Sequence, residues 1–284
     1  GRAAAVAKTS LPRRKPFAPE IGVFVDPESF YWMRSTMANS ALVLNQMATM
    51  PQSGAPWDFC LLSDIGDARL PDYKLYVFLN AFRVDAARRE AILRKLKRNN
   101  ATALFVYAPG YFDAEGVSLD NMRSLTGIRI AKDDAEGAPQ VALDGDIVVG
   151  AKNLKVSPLF YADDPGAQVI GRLVGSQRAG LVVKKMDGWK SVYSAAMALP
   201  PSLMRRIARE AGVHIWLESD DAIYTDGQFL GVHAATDGAK RVLLPSRCAA
   251  VNAMTDKDVP VDDRTVTLTM KRAETILLRL NPQH

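Results

Sequence analysis

The stretch Asp72-Tyr-Lys-Leu-Tyr-Val-Phe-Leu-Asn80 contains a continuous apolar run at 75–79, and this run decides the fold class. Continuous apolar runs of this length are typical of strands that are buried on both faces of a parallel sheet. Three further apolar runs and two helix-like stretches surround it, the runs at 21–25, 59–62 and 102–107 and the helices at 37–50 and 85–98. Strands that alternate with helices in this way predict an α/β domain with a parallel sheet and helices on both faces.

The α/β pattern continues with an interruption. A shorter helix is predicted at 118–125, with Ser118 as its N-cap. The density of Gly, Asp and Pro between 133 and 187 indicates short antiparallel strands and loops inserted into the α/β domain. The pattern then resumes with three elements, a strand at 191–194, a helix from Pro200-Pro201 to Gly212, and a last strand at 213–217.

The end of the chain has the pattern of a small all-β domain. Asp226-Gly227 is a strong hairpin-turn pair, and apolar stretches flank it on both sides. Further short strands are predicted at 242–244, 265–269 and 275–280, without a helix. This spacing predicts a small antiparallel β-sandwich.

The beginning of the chain has the composition of a linker, because prolines recur among Ala, Lys and Arg without an apolar period. The sequence therefore predicts three segments: a linker or tail at 1–19, an α/β domain at 20–213 and a β-sandwich domain at 214–284.

The composition of the 284 residues, 48% hydrophobic and 24% charged, is typical of a soluble globular protein. No run approaches the roughly 18 to 20 apolar residues of a membrane helix, so we expect no membrane partner. The net charge of +5 comes largely from the tail and from the outer faces of two helices, and we expect no nucleic-acid partner. The compartment stays open between the cytoplasm and export as part of a longer chain.

Cysteine and histidine residues give no sign of a cofactor. Cys60 and Cys248 are too few and too far apart for a disulfide framework or a zinc site, and we expect both to be small buried apolar residues. The histidines at 214, 233 and 284 have no ligand spacing. We therefore expect neither a metal nor any other cofactor.

Four stretches, in this order, resemble the C-terminal half of family 42-like β-galactosidases: Gly54-Ala-Pro-Trp-Asp58 with Leu61-Leu-Ser-Asp64, the stretch 72–80, Tyr107-Ala-Pro-Gly110, and Ala211-Gly-Val-His-Ile-Trp216. That half consists of a flavodoxin-like or class I amidotransferase-like α/β domain, the trimerisation domain, and a small β domain. It follows a catalytic barrel that carries the acid and nucleophile carboxylates.

The resemblance implies that this chain is a non-catalytic assembly and accessory region of a glycoside hydrolase. The implied partners are a glycosidase barrel upstream and further copies of the same chain in a homo-oligomer. It also implies a nucleophile elbow after the strand at 102–107, but Ala108-Pro109-Gly110 offers no nucleophilic side chain. We therefore predict no catalytic residue in this segment, while the parent chain is expected to be a glycoside hydrolase.

Ligands of open α/β sheets bind beyond the carboxyl ends of the strands. Nine residues near these ends are candidates for contact with a carbohydrate or with another subunit, namely Asp26, Tyr31, Trp32, Trp57, Asp64, Asn80, Phe82, Tyr111 and Phe112. Aromatic faces suit both kinds of contact. The alternatives to an assembly region are a carbohydrate-binding module without an assembly role and a free-standing enzyme with an unrecognised site. For assembly, the sequence favours the segment 30–57, which is rich in Met and aromatic residues.

Overall fold

The computed structural model describes residues 17–282 except Ala114 and Asp146, and the chain forms two compact units. The large unit consists of Ile21–Thr49 and Trp57–Pro200, and the small unit of Gly1–Glu20, Met50–Pro56 and Pro201–His284. The predicted division into an α/β domain at 20–213 and a β-sandwich domain at 214–284 stays a prediction.

Four helices are numbered α1 to α4, and three 3-10 turns accompany them. Helix α1 covers 36–49 in three consecutive parts, α-helical Thr36–Asn39, π-helical Ser40–Asn45 and α-helical Gln46–Thr49. The others are α2 (Ala86–Arg98), α3 (Leu119–Thr126) and α4 (Pro201–Glu210), and the 3-10 turns are Glu28–Trp32, Met50–Gln52 and Leu62–Gly66. Within the described residues, no helix combines the length and the apolar character that crossing a membrane requires.

The large unit contains strands β1 to β11, which form one sheet. They are β1 (Ile21–Val25), β2 (Trp57–Leu61), β3 (Leu75–Phe78), β4 (Thr102–Val106), β5 (Ile130–Asp133), β6 (Val141–Leu143), β7 (Val148–Val149), β8 (Leu159–Ala162), β9 (Gln168–Leu173), β10 (Ala179–Met186) and β11 (Trp189–Ser194).

The sheet is mixed, because the antiparallel strands expected between 133 and 187 extend the parallel strands within one sheet. Strands β2-β1-β3-β4-β11 pair in parallel in this order. From β11 onward the sheet continues antiparallel through β10, β9, β6 and β7, while β8 pairs with β10 and β5 pairs with β8. The direction changes at Asp187-Gly188, because such a short connection can only join antiparallel strands. Gly188 has a φ of 76°, which a glycine adopts without strain.

Aromatic side chains from three neighbouring parallel strands stack in the core of the large unit. Phe24 on β1 lies opposite Phe78 on β3, and Phe78 lies opposite Phe105 on β4. The ring centroids are 5.2 Å and 5.0 Å apart. All three rings are buried. Such cross-strand aromatic pairs stabilise a sheet beyond the area that they bury.

Side-chain caps fix the ends of two helices in the large unit. The backbone N–H of Arg88 donates to Asp85 Oδ1 at 2.8 Å at the start of α2. Ser118 caps α3 as predicted, because its Oγ accepts from the N–H of Asn121 at 3.3 Å. Each cap satisfies one of the N–H groups that the first helical turn leaves without an intrahelical partner.

The small unit contains strands β12 to β19 in two antiparallel sheets. The strands are β12 (Ala222–Thr225), β13 (Phe229–His233), β14 (Gly238–Leu243), β15 (Cys248–Asn252), β16 (Lys257–Val259), β17 (Val261–Asp262), β18 (Thr265–Met270) and β19 (Thr275–Pro282). One sheet has the order β12-β13-β19-β15-β16 and the other β14-β18-β17. Inward-facing residues of both sheets belong to one hydrophobic cluster, so the two sheets bury a common core.

The strand predicted at 213–217 is wrong. The structure has only an isolated bridge between Leu217 and Val242 in this region. Trp216 and Leu217 are buried in the hydrophobic cluster of the small unit, and the N–H of Trp216 donates to the carbonyl of Gly54 at 2.8 Å. The apolar run therefore reflects burial in a loop, which a short run cannot distinguish from a buried strand.

Candidate functional site

A cavity of about 430 Å³ lies in the large unit beyond the carboxyl ends of β3 and β4. Four of the nine candidate residues line it, namely Trp32, Phe82, Tyr111 and Phe112. This is the edge at which open α/β sheets bind ligands. The cavity volume falls within the range of about 300 to 1,000 Å³ that is usual for small-molecule sites.

Two further candidates, Asp26 and Asn80, hold strand ends together and do not line the cavity. The N–H of Asp26 donates to Asn80 Oδ1 at 2.8 Å, and Asn80 Nδ2 donates back to the carbonyl of Asp26 at 2.8 Å. The Oγ of Ser29 donates to the Asp26 carboxylate and accepts from the N–H of Phe82 at 3.2 Å. All of these groups are buried. This network ties the end of β1 to the segment after β3 and so fixes Phe82.

Six aromatic rings form the apolar part of the lining, and each contacts the next in the order Trp32, Phe112, Tyr111, Phe160, Tyr107 and Phe82. The centroids of Trp32 and Phe112 are 4.8 Å apart, and the other contacts are edge-to-face at 4.9 to 6.1 Å. Edge-to-face contacts are a preferred geometry of aromatic pairs. The rings therefore hold one another in place, and Trp32 is the most exposed of these six residues at 45%.

Tyr107 is the first residue after β4 and directly precedes the predicted elbow Ala108-Pro109-Gly110. Its φ of 64° is left-handed, and this costs a residue with a side chain about 1 to 2 kcal/mol. Its hydroxyl donates to the carbonyl of Pro158 at 2.7 Å, and its own carbonyl accepts from the hydroxyl of Tyr193 at 2.8 Å. Burial raises the pKa of Tyr107, so the phenol stays protonated at neutral pH. The residue that bears the strained backbone is thus a hydrogen-bonded wall of the cavity and no activated nucleophile.

Three charged residues lie at the mouth of the cavity, Arg34, Glu136 and Lys155. All three are exposed, and their charged groups make no hydrogen bond or ion pair with the residues that the structure describes. Gly137 and Val156 pair in an antiparallel bridge, so the two segments that carry Glu136 and Lys155 lie next to each other. Sequence analysis missed these three residues, since single charges in loops carry no local pattern.

The structure places the remaining three candidates away from the cavity. Tyr31 is 91% exposed on the 3-10 turn after β1. Trp57 is the first residue of β2 and pairs with Ile21, at the amino end of the parallel strands. Asp64 is exposed and accepts from Ser63 Oγ at 3.1 Å. As contacts of a ligand or a subunit, these residues stay predictions.

Both cysteines are buried, Cys60 in the large unit and Cys248 in the hydrophobic cluster of the small unit. Cys60 lies next to a tyrosine and an aspartate. The hydroxyl of Tyr73 lies 3.4 Å from Cys60 Sγ and donates to Asp58 Oδ2 at 3.0 Å. Burial is the main cause that raises the pKa of the Cys60 thiol, and the nearby carboxylates raise it further. A nucleophilic cysteine needs a lowered pKa, so this environment has the opposite effect.

Two histidines have hydrogen-bond partners in the small unit. His214 Nε2 lies 2.9 Å from the carbonyl of Leu243, and His233 Nδ1 lies 2.8 Å from Thr275 Oγ1. Among the residues that the structure describes, no three His, Cys, Asp or Glu side chains are grouped so that they could hold a metal ion.

No protein-family model matches the chain, and no curated protein matches it in sequence. Solved structures, however, match it in fold. A β-galactosidase from Bacillus circulans sp. alkalophilus matches with a TM-score of 0.65 and 14% identity, over 92% of this chain and 41% of that chain. A β-galactosidase from the Antarctic haloarchaeon Halorubrum lacusprofundi matches with a TM-score of 0.65 and 14% identity, over 98% of this chain and 42% of that chain.

A catalytic mutant of Gan42B, a GH42 β-galactosidase from G. stearothermophilus, gives the same TM-score of 0.65 with 9% identity. The match covers 99% of this chain and 42% of that chain. The chain thus spans about two fifths of the length of these structures. At this level of identity the comparison shows a shared fold with a portion of GH42 β-galactosidases.

Proposed function

We propose that this chain is the non-catalytic C-terminal assembly and accessory region of a β-galactosidase-like glycoside hydrolase whose catalytic barrel lies upstream. The proposal rests on the difference between two coverages, the share of this chain that is matched and the share of each matched structure. Nearly the whole chain, 92% to 99%, matches structures of which it spans only 41% to 42%. We infer that a segment with the fold of only a part of an enzyme supports the remaining, catalytic part.

The amidotransferase-like description of the α/β part belongs to the same proposal. The parallel order β2-β1-β3-β4-β11 supports it, as does the left-handed turn at Tyr107 directly after β4. The predicted elbow Ala108-Pro109-Gly110 has no nucleophilic side chain, and the phenol of Tyr107 before it has a raised pKa because of burial. This chemistry favours a scaffold over an acyl-transfer enzyme.

The carboxylates of the cavity also support a non-catalytic role. Glycoside hydrolysis generally uses two carboxylates about 5 to 10 Å apart on either side of the scissile bond. Among the described residues that line the cavity, only Glu136 is acidic. Asp26 is committed to the buried network at the strand ends, and Asp64 is elsewhere on the surface.

Exposed apolar side chains on and before α1 support an assembly role. Tyr31, Met37 and Leu44 are 91%, 61% and 63% exposed, within the segment that the sequence favours for assembly. Large apolar side chains grouped at a surface often mark contacts between proteins, and Met suits such contacts because it adapts to irregular shapes. Met50, by contrast, is fully buried. We therefore propose Tyr31, Met37 and Leu44 as the self-association surface, and trimers are one form that it would support.

Two measurements test this function. The open reading frame upstream of Gly1 should encode a barrel of roughly 250 residues or more with paired carboxylates. Light scattering over a dilution series should give a mass above that of one chain, and the double variant Met37→Glu/Leu44→Glu should be a monomer. Met254→Glu, at an exposed methionine of the small unit, is the matched control and should leave the mass unchanged. An upstream reading frame that encodes no barrel contradicts the glycoside hydrolase part of the proposal. A strict monomer at high micromolar concentration contradicts the assembly part.

A further inference from the structure

The aromatic cavity has a lining that suits a ligand with a flat apolar face. The most exposed aromatic residue of the lining is Trp32, whose ring contacts that of Phe112 with the centroids 4.8 Å apart. Phe112 is in turn held by the edge of Tyr111 at 5.3 Å. Because the supporting rings are packed, Trp32 offers a surface whose orientation is set before a ligand arrives. Preorganisation of this kind reduces the entropy that binding must remove.

The polar groups at the cavity restrict the ligand further. Arg34 and Lys155 only donate hydrogen bonds, Glu136 only accepts them when ionised, and the hydroxyl of Tyr111 does both. None of these groups has a hydrogen-bond partner among the residues that the structure describes. A ligand that satisfies them must therefore both accept and donate hydrogen bonds at several positions.

Three classes of ligand can be compared with these groups. A purely apolar ligand would use the rings but would leave the charged groups without partners. A phosphate or sulfate would suit Arg34 and Lys155, but it would face the carboxylate of Glu136 with like charge. A pyranose ring has an apolar face of C–H groups and a rim of hydroxyls that accept and donate. The observed combination of rings and charges fits the pyranose.

We propose that this cavity binds a neutral saccharide of one or two pyranose rings, with one ring stacked on Trp32 and its hydroxyls bonded to Arg34, Glu136 and Lys155. The choice of galactosides as probes rests on the proposed function, while the choice of a sugar ring rests on the cavity. The site holds the saccharide without cleaving it, since one carboxylate cannot act as both acid and nucleophile on opposite sides of the bond.

Isothermal titration of the whole chain with galactose and lactose tests the site. We expect Kd values on the order of millimolar for the monosaccharide and lower for the disaccharide, which has more atoms to contact the site. Sorbitol, which has the hydroxyls without the ring, and inorganic phosphate should not bind in the same range.

Variants locate the binding. Trp32→Ala should raise the Kd for lactose at least about tenfold, which corresponds to about 1.4 kcal/mol. Tyr224→Ala, at an exposed aromatic residue of β12 outside the cavity, is the control and should leave the Kd unchanged. Glu136→Gln and Lys155→Met alter exposed side chains only, so they keep the test valid if Trp32→Ala does not fold. Both should weaken lactose binding severalfold.

The saccharide site is wrong if lactose does not bind at tens of millimolar, if the cavity variants bind as well as the unaltered chain, or if phosphate binds and lactose does not. These outcomes are independent of the proposed function, which depends on the reading frame and on mass. A parent frame without a barrel would contradict the proposed function while lactose binding would still support the site.

Discussion

The ammonium of Lys240 lies 3.0 Å from the carboxylate of Asp221, and the two side chains are 3% and 1% exposed. Lys240 also donates to Thr236 Oγ1 at 2.9 Å, while Asp221 accepts from the N–H of Ala235 at 2.7 Å and from Ser219 Oγ. Both charges thus have several partners, as buried charges require. The pair joins the start of β12 to β14 inside the small unit.

Removal of the cation should destabilise the protein strongly, because it leaves a buried carboxylate without its partner. For Lys240→Met we expect a loss of about 3 to 5 kcal/mol in the free energy of unfolding. Urea denaturation monitored by circular dichroism measures it. Lys257→Met removes an exposed lysine of β16 and should change the stability by less than about 0.5 kcal/mol. A loss for Lys240→Met that does not exceed the control would show that the pair is not needed.

The same pair should make stability depend on pH in the acid range. Burial raises the pKa of Asp221, but hydrogen bonds from Ser219, Lys240 and Ala235 together lower it more, and the net pKa lies below its usual value. The unfolded pKa is about 3.9, so the contribution is fully present above that value and is lost as pH falls through the folded pKa. Asp221→Asn should therefore flatten the fall in stability below about pH 4. Asp262→Asn, at an exposed carboxylate of β17, should retain it.

A buried amide on α1 should be essential for the large unit. Gln46 Nε2 donates to the carbonyl of Leu199 at 3.2 Å, and Gln46 Oε1 accepts from the N–H of Leu199 at 2.7 Å. Gln46→Ala leaves both backbone groups without this partner, and we expect it to cost about 2 to 4 kcal/mol. Asn45→Ala, at the exposed neighbour, should cost less than about 1 kcal/mol. Equal losses for the two variants in chemical denaturation would refute the expectation.

Replacement of Ala273 by glycine should stabilise the protein, because the backbone of Ala273 is left-handed. The N–H of Glu274 donates to the carbonyl of Lys271 at 3.0 Å, and Ala273 has a φ of 64° at the third position of this turn. Type II turns favour glycine there, so Ala273→Gly should stabilise the protein by up to about 1 kcal/mol. Ala87→Gly, at an exposed position in the first turn of α2, should destabilise it by up to about 1 kcal/mol. The opposite signs of the two melting-temperature shifts check the turn geometry.

Both cysteines should be unreactive in the folded protein. Burial raises the pKa of Cys60 and of Cys248, so little thiolate forms near pH 8 and access is restricted. Ellman's reagent should label neither thiol within minutes under native conditions and both after unfolding in guanidinium. Rapid labelling of the native chain that Cys60→Ser abolishes would contradict the burial of Cys60.

The strands of the large unit could be predicted because burial on both faces leaves a continuous apolar run, as at 75–79 in β3. The same signal failed at 213–217, where the apolar residues are buried in a loop. Part of the aromatic lining could also be predicted, since Phe82 lies shortly after the end of β3 and Tyr111 shortly after the end of β4. Glu136 and Lys155 were not, because the bridge between Gly137 and Val156 that unites them is a long-range contact.

The residues that line the cavity come from two parts of one sheet, and these parts tolerate substitution to different degrees. Phe82 and Tyr107 follow the parallel strands β3 and β4, where backbone and packing constraints are strict. Glu136, Lys155 and Pro158 come from loops between the antiparallel strands, and loops tolerate substitution and insertion better than the elements that they connect. Substitutions in these loops can therefore change which ligand the cavity prefers, while Phe82, Tyr107 and the parallel strands before them stay the same.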